Sequence, residues 1–204
     1  MKVNRLWSGL IVLTVLVGSG CTPGGSVSVA GSNRSDQSTA NEQSATTITS
    51  SDGITQLTIP ADWHDTSNSL TAENWTLYVG TRDSRVSVAV KTMSKAEAPE
   101  ISADLHAGAA LNAGKAPFQD AEVIEQDVPT TINGYSAVMH QVRGTMMDYP
   151  MVAVTYSIET PEHYHSAAVM MLANEFERRW PQVEQVLQSF DVVESTEASA
   201  ELSP

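Results

Sequence analysis

Cysteine is almost absent. Cys21 stands alone, so no disulfide can form within the chain. Positive charge is also scarce. Eleven Lys and Arg face 24 Asp and Glu, for a formal net charge of −13. Such a surface repels nucleic acid and anionic lipid headgroups, so no nucleic-acid partner is expected. Cationic proteins or metal ions suit it better, and the bland alternative is a solvated acidic surface with no partner meaning. No apolar run approaches the roughly 20 residues that span a bilayer as a helix. No P-loop or Gly-rich dinucleotide fingerprint is found. Gly134-Tyr135-Ser136-Ala137-Val138 lacks the second glycine of a nucleophile elbow. Acidic residues are plentiful but scattered, so no acid/base pair stands out. Nothing in the sequence identifies a reaction, and the expectation is a protein that is not an enzyme.

What is present begins with an address. Lys2 and Arg5 form a positive segment, Leu10 to Val17 is apolar, and Gly18-Ser19-Gly20 precede Cys21. The apolar run is too short to span a bilayer comfortably and has signal-peptide flanks. Residues 1–20 are therefore expected to be a signal peptide that exports the chain. A lone cysteine just after such a run resembles the lipobox of bacterial lipoproteins. That resemblance implies that Cys21 is diacylated and becomes the mature N-terminus. Two or three acyl chains anchor stably where one does not. The alternative is ordinary cleavage near Gly20 and a free periplasmic protein. Residues 22–51 are Ser, Thr, Gly, Asn, Gln and Ala with almost no large apolar side chain. They bury too little to offset chain entropy, so 21–51 reads as a lipid-anchored flexible tether. About thirty such residues have an r.m.s. span of roughly 30 Å.

The folded domain is expected over 52–193, followed by a disordered acidic tail, 194–204. Ile54 to Ile59 reads as a strand ended by Pro60, with Trp63 packing back on the core. Asn74 to Gly80 and Arg85 to Lys91 read as the next two strands. Ser102 is a candidate N-cap for a helix over Ala103 to Ala113, with Ile101, Leu105, Gly108 and Leu111 on one face. Gly114 suits the C′ position. Glu122 to Val128 is a strand, with Pro129 leading to a turn at Asn133-Gly134. That pair fits a two-residue type I′ hairpin, because both central positions need positive φ. Tyr135 to Arg143, Met151 to Ile158 and His163 to Leu172 complete the strands, with a loop over Gly144 to Pro150. Asn174 is a candidate cap for the closing helix. Phe176, Trp180, Val183, Leu187 and Phe190 form its apolar stripe. Pro181 either starts that helix or divides it in two. Strands, a helix, more antiparallel strands and a final helix make an α+β order.

Three motifs carry a further resemblance. Ile59-Pro60-Ala61-Asp62-Trp63, Ile132-Asn133-Gly134-Tyr135-Ser136-Ala137 and Leu187-Gln188-Ser189-Phe190 resemble the opening, the hairpin and the closing helix end of PsbP-like domains. The likeness covers about 52–193. It implies an antiparallel β-sheet flanked by helices, a PsbP-like α/β/α sandwich. It also implies a largely non-enzymatic family that works by docking, assembly or stabilisation. Members include extrinsic lumenal subunits of photosystem II and lipoproteins of oxygenic photosynthetic bacteria; related domains occur in other bacterial envelopes. The shared motifs are structural, so no binding residue is carried over.

Two functional expectations follow. The first is a non-enzymatic protein, lipid-anchored to a membrane facing the thylakoid lumen or periplasm. It would assemble or stabilise a membrane protein complex, photosystem II being the family's example. It requires no cofactor. The second is an envelope lipoprotein that binds a small ligand or a divalent metal ion. His163 and His165, two apart on a strand, put both imidazoles on one side. Such a pair holds Zn²⁺ or Cu²⁺ only with a third ligand, from His140 or a carboxylate. The bland reading is strand histidines in water or in the sheet. Met139, Met146, Met147, Met151, Met170 and Met171 suggest Cu(I) capture less readily than gap-filling in the core.

Overall fold

Period-two burial along long β-branched and aromatic runs dictates most of the architecture. The computed structural model describes residues 45–67 and 75–193. The leader, Cys21, the tether through residue 44 and the acidic tail lie outside the described residues. Among the described residues no helix is long and apolar enough to cross a membrane.

Two antiparallel sheets form. The smaller has the order β1 (Thr46–Thr49), β2 (Thr55–Ile59) and β10 (Asp191–Val192). The larger has seven strands: β3 (Trp63–Asp65), β4 (Leu77–Thr81), β5 (Val86–Ser94), β6 (Glu122–Ile132), β7 (Tyr135–Met146), β8 (Tyr149–Glu159) and β9 (His163–Leu172). Their spatial order is β3-β4-β5-β9-β8-β7-β6. Helix α1 (Ala103–Lys115) lies on one face, against β7, β8 and β9. Helix α2 (Phe176–Gln188) lies on the other, against β2 and β9. The result is the expected α+β sheet flanked by helices.

The main core fills the α2 face. Leu57, Leu77, Val79, Val88, Val90, Ile158, Leu187 and Phe190 are fully buried or nearly so. The stripe on α2 is as read: Val183, Leu187 and Phe190 are buried, and Phe176 and Trp180 stack at 5.1 Å. Trp63 is buried within β3. A smaller cluster of Phe118, Val142 and Ala153 lies on the α1 face.

Several local readings are corrected. Thr46 to Thr49, within the stretch read as tether, pair with β2 as strand β1. Pro129 does not end a strand but sits inside β6. An edge strand tolerates it, because one side of its ladder needs no N–H donor. Gly144 to Pro150 is no loop: β7 and β8 continue to a two-residue turn at Met147-Asp148. Both turn residues have positive φ, 50° and 67°. Pro181 neither starts nor splits α2, which runs through it. A 3₁₀ turn, Ala173–Glu175, leads into α2, and Asn174 makes no cap; no side chain caps that end.

The face of α1 also differs. Ser102 caps it as expected, accepting from Leu105 N. The inward residues are His106, Ala107, Ala110 and Gly114, while Leu105 is 60% exposed. Gly114 is inside the helix, where a Cβ would meet Thr155 Cγ2 at 3.0 Å. The helix lies close to the sheet at Ala107, Ala110 and Gly114, while Leu111 packs beside them against the Phe118 cluster.

Candidate functional site

His163 and His165 come together as their spacing requires, with ring centroids 5.8 Å apart. They point into the α2 face, where His165 packs edge-on against Phe190 at 5.2 Å. His165 is fully buried. Its Nδ1 is 3.2 Å from Thr92 Oγ1 and its Nε2 is 3.1 Å from Thr160 Oγ1. Burial, then repulsion from His163, pushes its pKa down to about 4. Both ring nitrogens of this neutral imidazole are therefore engaged. Nδ1 of His163 is buried without a hydrogen-bond partner.

His140 does not join them. It faces α1, with Nε2 donating to Ala107 O at 3.0 Å and Nδ1 accepting from Asp127 N at 3.1 Å. Among the described residues no group of three His, Cys, Asp or Glu is placed to hold a metal ion. The methionines are dispersed as well. Met171 is buried in the main core, Met146 and Met151 pack with the smaller cluster, and Met147 is 80% exposed.

The motif residues build a clamp at one end of the molecule. Ser189 Oγ accepts from Thr58 N at 2.8 Å and donates to Val186 O at 2.6 Å. Asn133 Nδ2 donates to Phe190 O at 2.9 Å, and Asn133 N donates to Gln188 Oε1 at 3.0 Å. The Tyr135 ring meets Phe190 edge-on. Strand β2, the β6–β7 hairpin and the end of α2 are thus tied together. A second tie joins the other end of α2 to the β4–β5 turn. Glu175 pairs with Arg85, Arg178 and Arg179, and Arg179 also reaches Asp83 at 2.7 Å. The hydrogen bond from Arg179 leads in holding the Glu175 carboxyl below its ordinary range. These ties hold structure.

A polar constellation that sequence reasoning missed lies under α1. Strand register places Lys91 opposite Ser166, and Ser166 opposite Ser157. The three form a row across β5, β9 and β8. His106 descends onto that row from α1, with Nδ1 2.6 Å from Ser157 Oγ and Nε2 3.1 Å from Ser166 Oγ. Its ring stacks on Tyr164 at 5.1 Å, and Lys95 Nζ lies 4.6 Å from the centre of that same ring. Burial, then the charge of Lys91, pushes the His106 pKa down, which keeps the imidazole neutral. An open-sided cleft of about 190 Å³ sits beside it. Its walls are Met93, Ile101, Leu105 and Ala109; Lys91, His106 and Ser166 supply its polar atoms. No acid lines it. The available signal was two serines interrupting apolar strands, which carries meaning only once register is known.

No protein-family model and no curated sequence matches the chain. Solved structures do. The chain is similar to cyanobacterial PsbP from Synechocystis sp. PCC 6803, at 12% identity and a TM-score of 0.52. That match covers 74% of this chain and 94% of the other. LpqN of Mycobacterium tuberculosis, involved in cell envelope biogenesis, matches at 9% identity and a TM-score of 0.49, covering 76% and 88%. The Ran-binding protein Mog1p of Saccharomyces cerevisiae matches at 10% identity and a TM-score of 0.46, covering 74% and 97%.

Proposed function

From the premise that this chain has a PsbP-like fold, we propose that it is an exported, lipid-anchored, non-enzymatic protein. Its body docks on a membrane protein complex as an assembly or stabilising factor, with photosystem II the first candidate. The observation that carries this reading is the shared fold with cyanobacterial PsbP. The leader and Cys21 support the anchor. Confinement at a membrane raises the effective concentration of a docking surface, so weak contacts suffice. Affinity purification of the full chain from solubilised membranes tests the reading. Subunits of one membrane complex are expected in constant proportion. Absence of any photosystem subunit, with normal photosystem assembly after deletion, removes the photosystem version. Labelled palmitate is expected in the wild type and not in Cys21→Ala, which leaves the membrane fraction.

A second reading is an envelope lipoprotein that takes a small ligand. The cleft beside His106 favours it. A metal at His163 and His165 is the weaker form, since it must displace the Thr92 or the Thr160 hydroxyl from one nitrogen of His165.

A further inference from the structure

The cleft beside α1 is positive in a chain that is strongly negative. Lys91 forms no ion pair among the described residues, whereas Lys95 nearby is held by Glu159 at 2.7 Å. Lys91 and Ser166 are cross-strand neighbours on the same face of β5 and β9, so their side chains stand side by side.

The hydrogen-bond distances orient the serine. A neutral imidazole has one N–H. The 2.6 Å contact between Ser157 Oγ and His106 Nδ1 is shorter than N–H···O bonds run and suits O–H donation to the ring. With that donation Nε2 is the protonated nitrogen of the neutral ring, and in this tautomer it donates to Ser166 Oγ at 3.1 Å, an ordinary N–H···O length. In this tautomer Ser166 accepts that bond, which leaves its O–H to donate into the cleft. Ser166 lines the cleft. The cleft therefore offers an ammonium and a hydroxyl donor side by side, with no carboxylate among its described lining residues.

The opposite wall is apolar. Leu105 is a large hydrophobe left 60% exposed, beside Met93, Ile101 and Ala109. The volume, about 190 Å³, is below the roughly 300–1,000 Å³ that houses drug-sized molecules.

Deepening the ligand reading above, on which it rests, we propose that this cleft binds a small amphipathic carboxylate. The carboxylate sits between Lys91 Nζ and the Ser166 hydroxyl, and the apolar part lies on Met93, Ile101, Leu105 and Ala109. His106 and Ser157 act as positioning residues: they fix the direction in which Ser166 donates.

Benzoate and hexanoate are the probes, with benzyl alcohol and hexanol as their neutral counterparts. Each is titrated to about 10 mM into the purified full chain, with binding read from amide and methyl NMR shifts. Saturable shifts are expected at Lys91, Met93, Leu105, Ala109 and Ser166 with both carboxylates. The alcohols are expected to bind about tenfold more weakly, the scale of one charge-assisted contact. Lys91→Gln, at an exposed position, should erase that preference. Ala109→Trp, also exposed, should fill the cleft and abolish binding of all four probes. Absence of localised shifts with any probe overturns the ligand reading and this inference together. Equal affinity for alcohol and acid, or an unchanged preference in Lys91→Gln, overturns the carboxylate assignment and leaves ligand binding standing. Neither result bears on membrane-complex docking, which is measured by co-purification.

Discussion

The α2 face of the large sheet is closed by large apolar side chains, whereas the α1 face is closed by small ones and by hydrogen-bonded histidines. On the α2 side Phe190, Leu187, Leu57 and Ile158 interdigitate, and His165 is a buried polar exception with hydroxyls at both nitrogens. On the α1 side Ala107, Ala110 and Gly114 bring the helix close, while His106 and His140 are buried beneath it. Apolar packing is non-directional and tolerant of sequence. Hydrogen-bonded polar contacts fix direction, and each unmade one costs. The difference separates two roles: the α2 face supplies the stability, and the α1 face supplies oriented polar atoms beside a cleft. The clamp motifs fall on the first side and the Lys91–Ser166–Ser157 row on the second.

The largest effect should come from emptying the apolar face. Phe190→Ala removes a fully buried ring that touches Tyr135 and His165. Truncations of this kind cost about 3–5 kcal/mol. Denaturant unfolding should show a lowered midpoint of that size. A loss under about 1 kcal/mol would mean that this face does not dominate stability.

Acid should act next. The folded chain holds His165 at about 4, against an ordinary 6.5. Below pH 6.5 the unfolded chain takes up a proton that the folded chain refuses. Stability is therefore full above about 6.5, falls as the pH drops toward 4, and levels off there. The loss amounts to about 3 kcal/mol. His106, also pushed down by burial, adds in the same direction. Denaturant midpoints measured across that range check the sum, and NMR titration of the His165 ring checks its share.

A pair of glycine substitutions sharpens the contrast within α1 itself. Gly108 has open space where a Cβ would go, whereas Gly114 faces the Thr155 methyl at 3.0 Å. Gly108→Ala should stabilise by about 0.5–1 kcal/mol through helix propensity alone. Gly114→Val should instead cost about 1–3 kcal/mol by overpacking, because Thr155 is fixed in a central strand. Thermal melting of both variants decides it. If both are stabilised, the helix is not held as close to the sheet as the structure has it.

The long strands, the Asn133-Gly134 hairpin and the α2 stripe were legible because each has a period or a turn signal of its own, and the helix-flanked sheet came from the resemblance. The face of α1 was not legible. Its inward side is alanine, glycine and His106, so the exposed Leu105 pointed the pattern the wrong way. His163 and His165 were found together by alternation, but the hydroxyl partners of His165, Thr92 and Thr160, come from a neighbouring strand and from the turn before β9. The row under α1 was invisible for the same reason. Ser157 and Ser166 are nine positions apart, and only the β8–β9 register makes them neighbours. His106 looked like one histidine in an alanine-rich helix. Fold signals are local in sequence, while site signals here depend on pairing.

The smallest effect concerns two turns of one geometry. Asn133-Gly134 and Met147-Asp148 each join two strands through two residues of positive φ. Asn and Gly enter that region readily, and Asp tolerates it. Methionine does not, and it gains nothing by burial, being 80% exposed. Met147→Asn with Asp148→Gly should therefore stabilise the protein by about 1 kcal/mol, since the left-handed region costs a side chain roughly 1–2 kcal/mol per residue. A raised denaturation midpoint with unchanged β7–β8 register, read from cross-strand NOEs, is the expected outcome. An unchanged or lowered midpoint would mean that Met147 contributes contacts that outweigh its backbone cost. The second hairpin would then be under the same structural constraint as the first, and not a weaker copy of it.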